Sequence, residues 1–319
     1  MSRSRSRSVA IVGVGSVGVA AAYALFTRRA VSQLLLVDQD AKKAEGEAMD
    51  LMHGQALVGR VSVRAARYEE LGEASVVVVA AGRNQKGGES RLDLLRGNAE
   101  VVRSVMSELD RHAPDAIVII ATNPVDVLTR LAIRASTRPP GRIFGTGTTL
   151  DSARFRALLG EAFGVSPRSI HAHVLGEHGD SQVPIWSTAR IGGASLDDEA
   201  ACGRALDEAD RKDIEERTRG AARAIIERKG RTDLAIGTVI AHLAVAVLGD
   251  ERSVQPLSVP LDGEYGLRDV CLGIPCVLGR DGVTARIIPA LAPNELAALT
   301  LSADTLRAAE RDAGLAESP

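Results

Sequence analysis

Short apolar runs alternate with helical periodicity through the first half of the chain. Residues 9–13 form one run, residues 17–27 repeat apolar positions at helical spacing, and residues 34–37 form a second run ending at Asp38. This order predicts a βαβ unit. Further apolar or β-branched runs at 61–63, 76–81, 117–121 and 142–144, separated by helix-compatible stretches, extend it to a parallel sheet covered on both faces. Right-handed crossovers make such a sheet doubly wound and put its ligand at the carboxyl ends of the strands. Functional residues are therefore expected just after these runs.

Beyond about residue 147 the pattern changes. It predicts a helix over 150–163, a strand over 170–175, a long charged helix over 206–229 and a second helix over 232–248. Runs at 253–261, 270–278 and 283–288, with Gly and Pro between them, read as an antiparallel meander, and an amphipathic helix over 294–313 closes the chain. The expected architecture is α/β, a doubly wound parallel sheet over residues 1–146 followed by an α+β domain over 147–319. With no repeat or low-complexity linker between them, the halves are expected to pack closely and enclose a cleft.

Composition narrows the class. A chain of 319 residues with 45% hydrophobic and 25% charged residues can bury a substantial core, as a soluble globular protein does. The formal net charge of −2 supplies no overall field for nucleic acid or an anionic membrane, so an anionic ligand must be held locally. No run of about 18 apolar residues predicts a membrane-spanning helix. Cys202, Cys271 and Cys276 are too few and too irregularly spaced for a disulfide framework, and no C-x-x-C pair is present, which suits a reducing, cytoplasmic setting. The basic stretch Ser2-Arg3-Ser4-Arg5-Ser6-Arg7-Ser8 is short for a transit peptide and reads as a solvated tail.

Gly13-Val14-Gly15-Ser16-Val17-Gly18 follows a predicted strand and opens a helix, and Asp38 lies twenty residues past Gly18 at the end of the next strand. That context makes the motif a Rossmann-type dinucleotide fingerprint. Gly13 permits the tight turn, Gly15 lets backbone approach a pyrophosphate, and Gly18 lets helix and strand pack closely, with the helix N-terminus toward the phosphates. Asp38 can accept from both ribose hydroxyls and would repel a 2′-phosphate, so NAD is expected rather than NADP.

Four further stretches carry candidate chemistry. Asp151 and Arg154, three apart on a predicted helix, leave the same face, as an ordinary surface ion pair or as parts of one site. Gly176-Glu177-His178-Gly179-Asp180 sets His178 at a strand end between glycines. A histidine that donates one ring N–H to a buried Asp keeps its other nitrogen as a proton carrier. A packed structural histidine, or a metal cluster with His171 and His173, is the alternative; the H-x-H-x4-H spacing does not match common zinc patterns, and no metal is expected. The stretch from Gly82 to Arg91 follows the strand over 76–81 and reads as a mobile lid, in which Gln85, Lys86 and Arg91 could fold over a substrate, or as a plain solvated loop. Ala121-Thr122-Asn123-Pro124 closes the next strand, where Asn123 could bond nicotinamide or substrate.

Together the glycine turn with Asp38, Gly87-Gly88-Glu89-Ser90-Arg91-Leu92-Asp93-Leu94, Ala121-Thr122-Asn123-Pro124-Val125-Asp126, the stretch from Gly145 to Arg154, and Gly176-Glu177-His178-Gly179-Asp180 resemble the L-lactate/malate dehydrogenase family over nearly the whole chain. The resemblance implies that His178 exchanges a proton with the pyruvate/lactate oxygen, Asp151 stabilises the imidazolium, Arg154 holds the substrate carboxylate and Arg91 polarises the carbonyl. Gly13, Gly15, Val17, Gly18, Asp38 and Asn123 would contact NAD. Gln85 stands at the lid position that sorts substrates and resembles the lactate branch, since the malate branch usually carries Arg there. Thr232 matches a position lining the methyl pocket, whereas the neighbouring Asp233 departs from the family pattern. Arg156 points away from the Arg154 face, about 200° around the helix. With His171 it resembles the phosphate ligands of bacterial members activated by fructose 1,6-bisphosphate; a surface ion pair and a packed strand residue are the alternative. The resemblance further implies a cytoplasmic homotetramer. A malate dehydrogenase and a catalytically silent NAD-binding sensor are the competing readings.

Overall fold

The computed structural model describes residues 7–83 and 90–316. Gln85 and Lys86 lie outside the described residues, as does the side chain of Arg91. The first half runs β1 (Ser8–Val12), α1 (Ser16–Thr27), β2 (Gln33–Val37), α2 (Ala41–His53), α3 (Gln55–Val58), β3 (Ser62–Ala65), β4 (Val76–Val79), α4 (Arg91–His112), β5 (Ile117–Ile120), α5 (Val125–Arg134) and β6 (Ile143–Gly145). It continues with α6 (Thr149–Phe163), β7 (Ile170–Leu175), β8 (Val183–Ile191), β9 (Ala194–Ser195), α7 (Glu199–Cys202), α8 (Glu208–Lys229), α9 (Leu234–Gly249), β10 (Ser253–Asp262), β11 (Arg268–Gly279), β12 (Gly282–Arg286) and α10 (Pro293–Asp312).

The six strands of the first half are parallel and ordered β3-β2-β1-β4-β5-β6, the doubly wound arrangement expected from the alternating runs. Val76, Val77, Val78 and Val79 are wholly buried, as are Ile117, Val118, Ile119 and Ile120, because a central parallel strand has helices on both faces. No described helix is long and apolar enough to cross a membrane.

The second half is less self-contained than its pattern suggests. Its meander β10-β11-β12 is antiparallel as expected, but β10 pairs with β6 at Ser258 and Gly145, so one nine-stranded sheet runs through both halves. An edge left open at β6 is thereby covered. The strand Val183–Ile191 lies outside the expected elements; Pro184 and the polar Ser187 and Thr188 obscure its alternation, yet it pairs with β7 in a three-stranded sheet with β9. Helix α9 lies against α1 so closely that a Cβ on Gly237 would come within 2.6 Å of the Ala20 side chain. This contact brings the segment before α9 to the glycine turn.

Candidate active site

The dinucleotide-type turn is shaped by close backbone approach. Gly13 has φ +97°, and a Cβ there would sit 2.4 Å from the Ala81 nitrogen. A Cβ on Gly18 would collide with the Gly13 carbonyl oxygen, so both positions need glycine for the fold itself. Gly15 differs: nothing lies within 4 Å of where its Cβ would be. Its open side at the N-terminus of α1 is where backbone can meet a ligand phosphate. Asp38 clamps the turn by accepting from the Val14 N–H at 2.9 Å, while its second oxygen accepts from the Asp40 N–H at 3.1 Å. Asp38 also borders a cavity of about 570 Å³ lined by Val37, Ala41, Ala65 and Tyr68 and by the charged Glu45, Arg67, Glu69 and Glu70, a mixed recess at the ends of β2 and β3. These features fit NAD. Val17 lies in the first turn of α1, half-buried against the main core.

At the carboxyl ends of the next strands, Asn98 ties two loops together. Its side-chain oxygen accepts from the Arg83 N–H at 2.9 Å and its amide donates to the Asn123 carbonyl at 2.9 Å. The Asn123 side chain accepts from the Val125 N–H at 3.3 Å. Thr122 reaches back to the carbonyls of Val79 and Ala81. Where description resumes, Ser90 caps α4 by accepting from the Asp93 N–H, so Arg91 begins a helix.

Asp151, Arg154 and His178 converge. Asp151 stands in the first turn of α6, where a carboxylate complements the helix dipole, and is buried. One of its oxygens meets His178 Nδ1 at 2.5 Å; the other accepts from the Arg154 guanidinium at 3.0 Å. His178 follows β7 through Gly176, whose N–H and carbonyl bond Gly273 of β11 at 3.0 and 2.9 Å. Glu177 N–H donates to Ser302 of α10 at 2.8 Å, and His178 N–H to Asp126 Oδ2 of α5 at 2.8 Å. Three elements, β11, α10 and α5, therefore fix the backbone of three consecutive residues, 176–178.

The electrostatics follow from this packing. Burial pushes the His178 pKa down, but the charge and hydrogen bond of Asp151, with Asp126 behind them, raise it above the ordinary histidine value. Burial of Asp151 acts upward, but His178 and Arg154 outweigh it and hold the carboxyl below the usual range. Asp126 goes the other way: burial raises it to about 6 against the opposing help of Ser258 and His178. The His178 ring sits deep in the protein yet keeps 22% of its surface open. With Nδ1 committed to Asp151, Nε2 is the nitrogen available to exchange a proton, and an Arg lies on the same carboxylate.

Two stretches of the chain match family models described as lactate/malate dehydrogenase, NAD binding domain, over residues 7–145, and lactate/malate dehydrogenase, alpha/beta C-terminal domain, over residues 148–316. The chain belongs to the lactate/malate dehydrogenase family. An L-lactate dehydrogenase of Salinibacter ruber is 53% identical over 307 residues, covering 96% of this chain and 97% of the relative. One from Thermus aquaticus is 47% identical over 302 residues, covering 94% and 97%. The crystal structure of the minor L-lactate dehydrogenase from Enterococcus mundtii in a ligand-bound form superposes with a TM-score of 0.93 at 39% identity, over 97% of this chain and 98% of that one.

The remaining candidates are more dispersed. Thr232 is half-buried in the segment between α8 and α9, beside Asp233, which accepts from Lys229 at 2.5 Å, Arg231 at 2.6 Å and the Leu234 N–H at 2.9 Å. The unexpected Asp233 is thus an N-cap for α9 and an anchor for the two preceding cations, which lower its carboxyl to about 2. Arg156 donates to the Ser152 carbonyl at 3.4 Å rather than joining Asp151. His171 is exposed on β7, and both it and Arg156 bear on His173, which burial and these neighbours lower to about 4. Among the described residues, no three His, Cys, Asp or Glu side chains converge as a metal-binding set. Asp126 and Asn98 are absent from the sequence-derived site; the signal for Asp126 was a carboxylate among the apolar Val125, Val127 and Leu128.

Proposed function

We propose that the protein is an NAD-dependent L-lactate dehydrogenase that interconverts pyruvate and L-lactate. The observation that carries this reading is the His178–Asp151–Arg154 constellation at the end of a dinucleotide-type sheet. Gly13, Gly15, Val17 and Gly18 would hold the NAD pyrophosphate at the head of α1, Asp38 its ribose, and Asn123 its nicotinamide end or the substrate. When bound, the nicotinamide gives or takes the hydride at the substrate carbon. Arg154 binds the substrate carboxylate through two parallel hydrogen bonds, which fixes the orientation of the carbonyl. Protonated His178 delivers its Nε2 proton to the carbonyl oxygen, and the remaining negative charge of Asp151 keeps the imidazole in the right tautomer. Arg91 stabilises the developing charge on that oxygen. In lactate oxidation the proton returns to His178.

Gln85 and Thr232 favour the methyl group of pyruvate. A second carboxylate, as in oxaloacetate, would lose its solvation beside the neutral Gln85 amide at a cost of several kcal/mol, about the size that separates good from poor substrates. A silent NAD-binding sensor would need only the glycine turn and Asp38, so the catalytic set favours an enzyme. NADH consumption measured in parallel with pyruvate, oxaloacetate and larger 2-oxo acids is expected to rank pyruvate first, and Gln85→Arg to move preference toward oxaloacetate. Unchanged relative kcat/KM values in that variant would count against the substrate assignment.

The same reading includes a cytoplasmic homotetramer, whose interfaces would cover exposed apolar side chains such as Tyr23, Met49 and Leu234, and three free thiols suit a reducing compartment. Arg156 and His171, with His173 between them in charge terms, would receive the phosphates of fructose 1,6-bisphosphate. Titration with that compound should lower the KM for pyruvate or drive assembly; no change in either removes the effector site.

A further inference from the structure

We infer that Asp126 is a positioning residue for His178: from α5 it holds the histidine backbone, and its carboxylate is a second negative charge supporting the imidazolium. The inference rests on the reading of His178 as the proton carrier. Its basis is a hydrogen bond spanning 52 residues in sequence, from the first turn of α5 to the segment after β7. That bond links an element of the NAD-binding region to the residue that must meet the substrate, so the height of the imidazole over the cofactor cleft depends on it.

The environment of Asp126 is unusual for a merely structural acceptor. The residue is 2% exposed, and its Oδ1 is buried without a hydrogen bond; the nearby Ser258 hydroxyl favours the ionised form without closing a well-formed bond. An amide or a hydroxyl would accept from the His178 N–H without carrying a charge into the core. Ser258 is itself packed tightly against Gly145, where a Cβ would lie 2.9 Å from the Ser258 Cβ and 2.3 Å from the Thr129 hydroxyl. Among the described residues, the titratable and charged groups bearing on the pair are Asp151 and Arg154 from α6, Glu177 beside His178 and Cys271 on β11. The Cys271 thiol is itself pushed up by burial and by Asp126. Asp151 supplies the contact charge on the ring and Asp126 the charge behind its backbone.

The test compares Asp126→Asn, which keeps an acceptor and removes the charge, with Asp126→Ala, which removes both. The direct readout is the titration of the His178 ring by NMR in the protein without substrate, with His178→Asn used to assign the resonance. Asp126→Asn should lower the His178 pKa by about half a unit or more, as loss of a nearby opposite charge does. The basic limb of kcat/KM for pyruvate should move down with it, and NADH affinity should stay unchanged. Asp126→Ala should in addition reduce kcat by about tenfold to a hundredfold across the pH range, through misplacement of the ring.

Because folding raises the Asp126 pKa, the stability it contributes is full below the ordinary carboxylate range and is lost as pH rises through about 6. Asp126→Asn, freed of that loss, should unfold at no lower temperature than the parent at pH 7. A His178 titration shifted by less than about 0.2 units in Asp126→Asn, against the unit-scale effect of a close charge, or full kcat in Asp126→Ala, would overturn the inference. Absence of turnover with any 2-oxo acid in the parent protein would instead remove the proposed function, while leaving the NMR comparison to be read.

Discussion

The glycine turn and the His178–Asp151–Arg154 cluster of this protein are built from different materials. At the turn, backbone does the shaping: Gly13 and Gly18 admit contacts that a single methyl group would block, and Asp38 clamps the turn within a short stretch of chain. The His178 cluster uses charged side chains delivered by α5, α6 and the segment after β7, each anchored by the others. A backbone site is set by sterics, so damage there is expected in folding as well as binding. A side-chain site is set by charge, so damage there is expected in rate and in pH dependence.

The largest effect that would sharpen this contrast comes from His178→Asn, which removes the proposed proton carrier while leaving the glycine turn untouched. Pyruvate reduction should fall by about 10³-fold or more while NADH binding, followed by fluorescence, is kept. Turnover within tenfold of the parent would dissolve the distinction between the two regions. In the parent, the upward shift of the His178 pKa keeps the ring protonated to higher pH than a free imidazole. The kcat/KM for pyruvate should therefore hold through neutrality and fall on the alkaline side, and that for lactate should rise over the same window.

Glycine replacements test the other region. Gly13→Ala puts a side chain at positive φ and against the Ala81 backbone, and should destabilise the fold by about 2–4 kcal/mol, visible as a lower Tm. Gly15→Ala meets no protein atom, so its Tm should stay near the parent value while NADH affinity weakens by about tenfold, or ~1.4 kcal/mol. Equal Tm losses in both variants would show that Gly15 serves the fold and not a ligand. An effect of similar size, on cofactor choice alone, is expected at Asp38: Asp38→Ser should shift preference toward NADPH by about tenfold in relative kcat/KM, through loss of repulsion from a 2′-phosphate.

Much of this architecture is legible in the chain, for local reasons. A buried parallel strand must be apolar along its length, a tight phosphate turn must be glycine, and a ribose-binding carboxylate must end the following strand; each leaves a mark within a few residues. Asp151, Arg154 and His178 stand out for the same reason, as chemistry-bearing types at strand and helix ends. Asp126 does not stand out, because its role depends on a partner 52 residues away, and a carboxylate at the start of a helix reads equally well as a dipole-favoured surface residue. Val183–Ile191 is hidden by Pro184, whose place in a strand makes sense only once β7 lies beside it.

Sequence alone determined the periodicities, the glycine turn and the residue types at each strand end, since these depend on contacts within one element or between successive ones. Tertiary structure alone decided that β10 continues the first sheet and that a buried Asp126 holds the histidine from α5. The physical reason is range. Backbone sterics and side-chain periodicity act over a few residues, whereas burial, ion pairing and pKa are properties of a place that distant segments create by meeting.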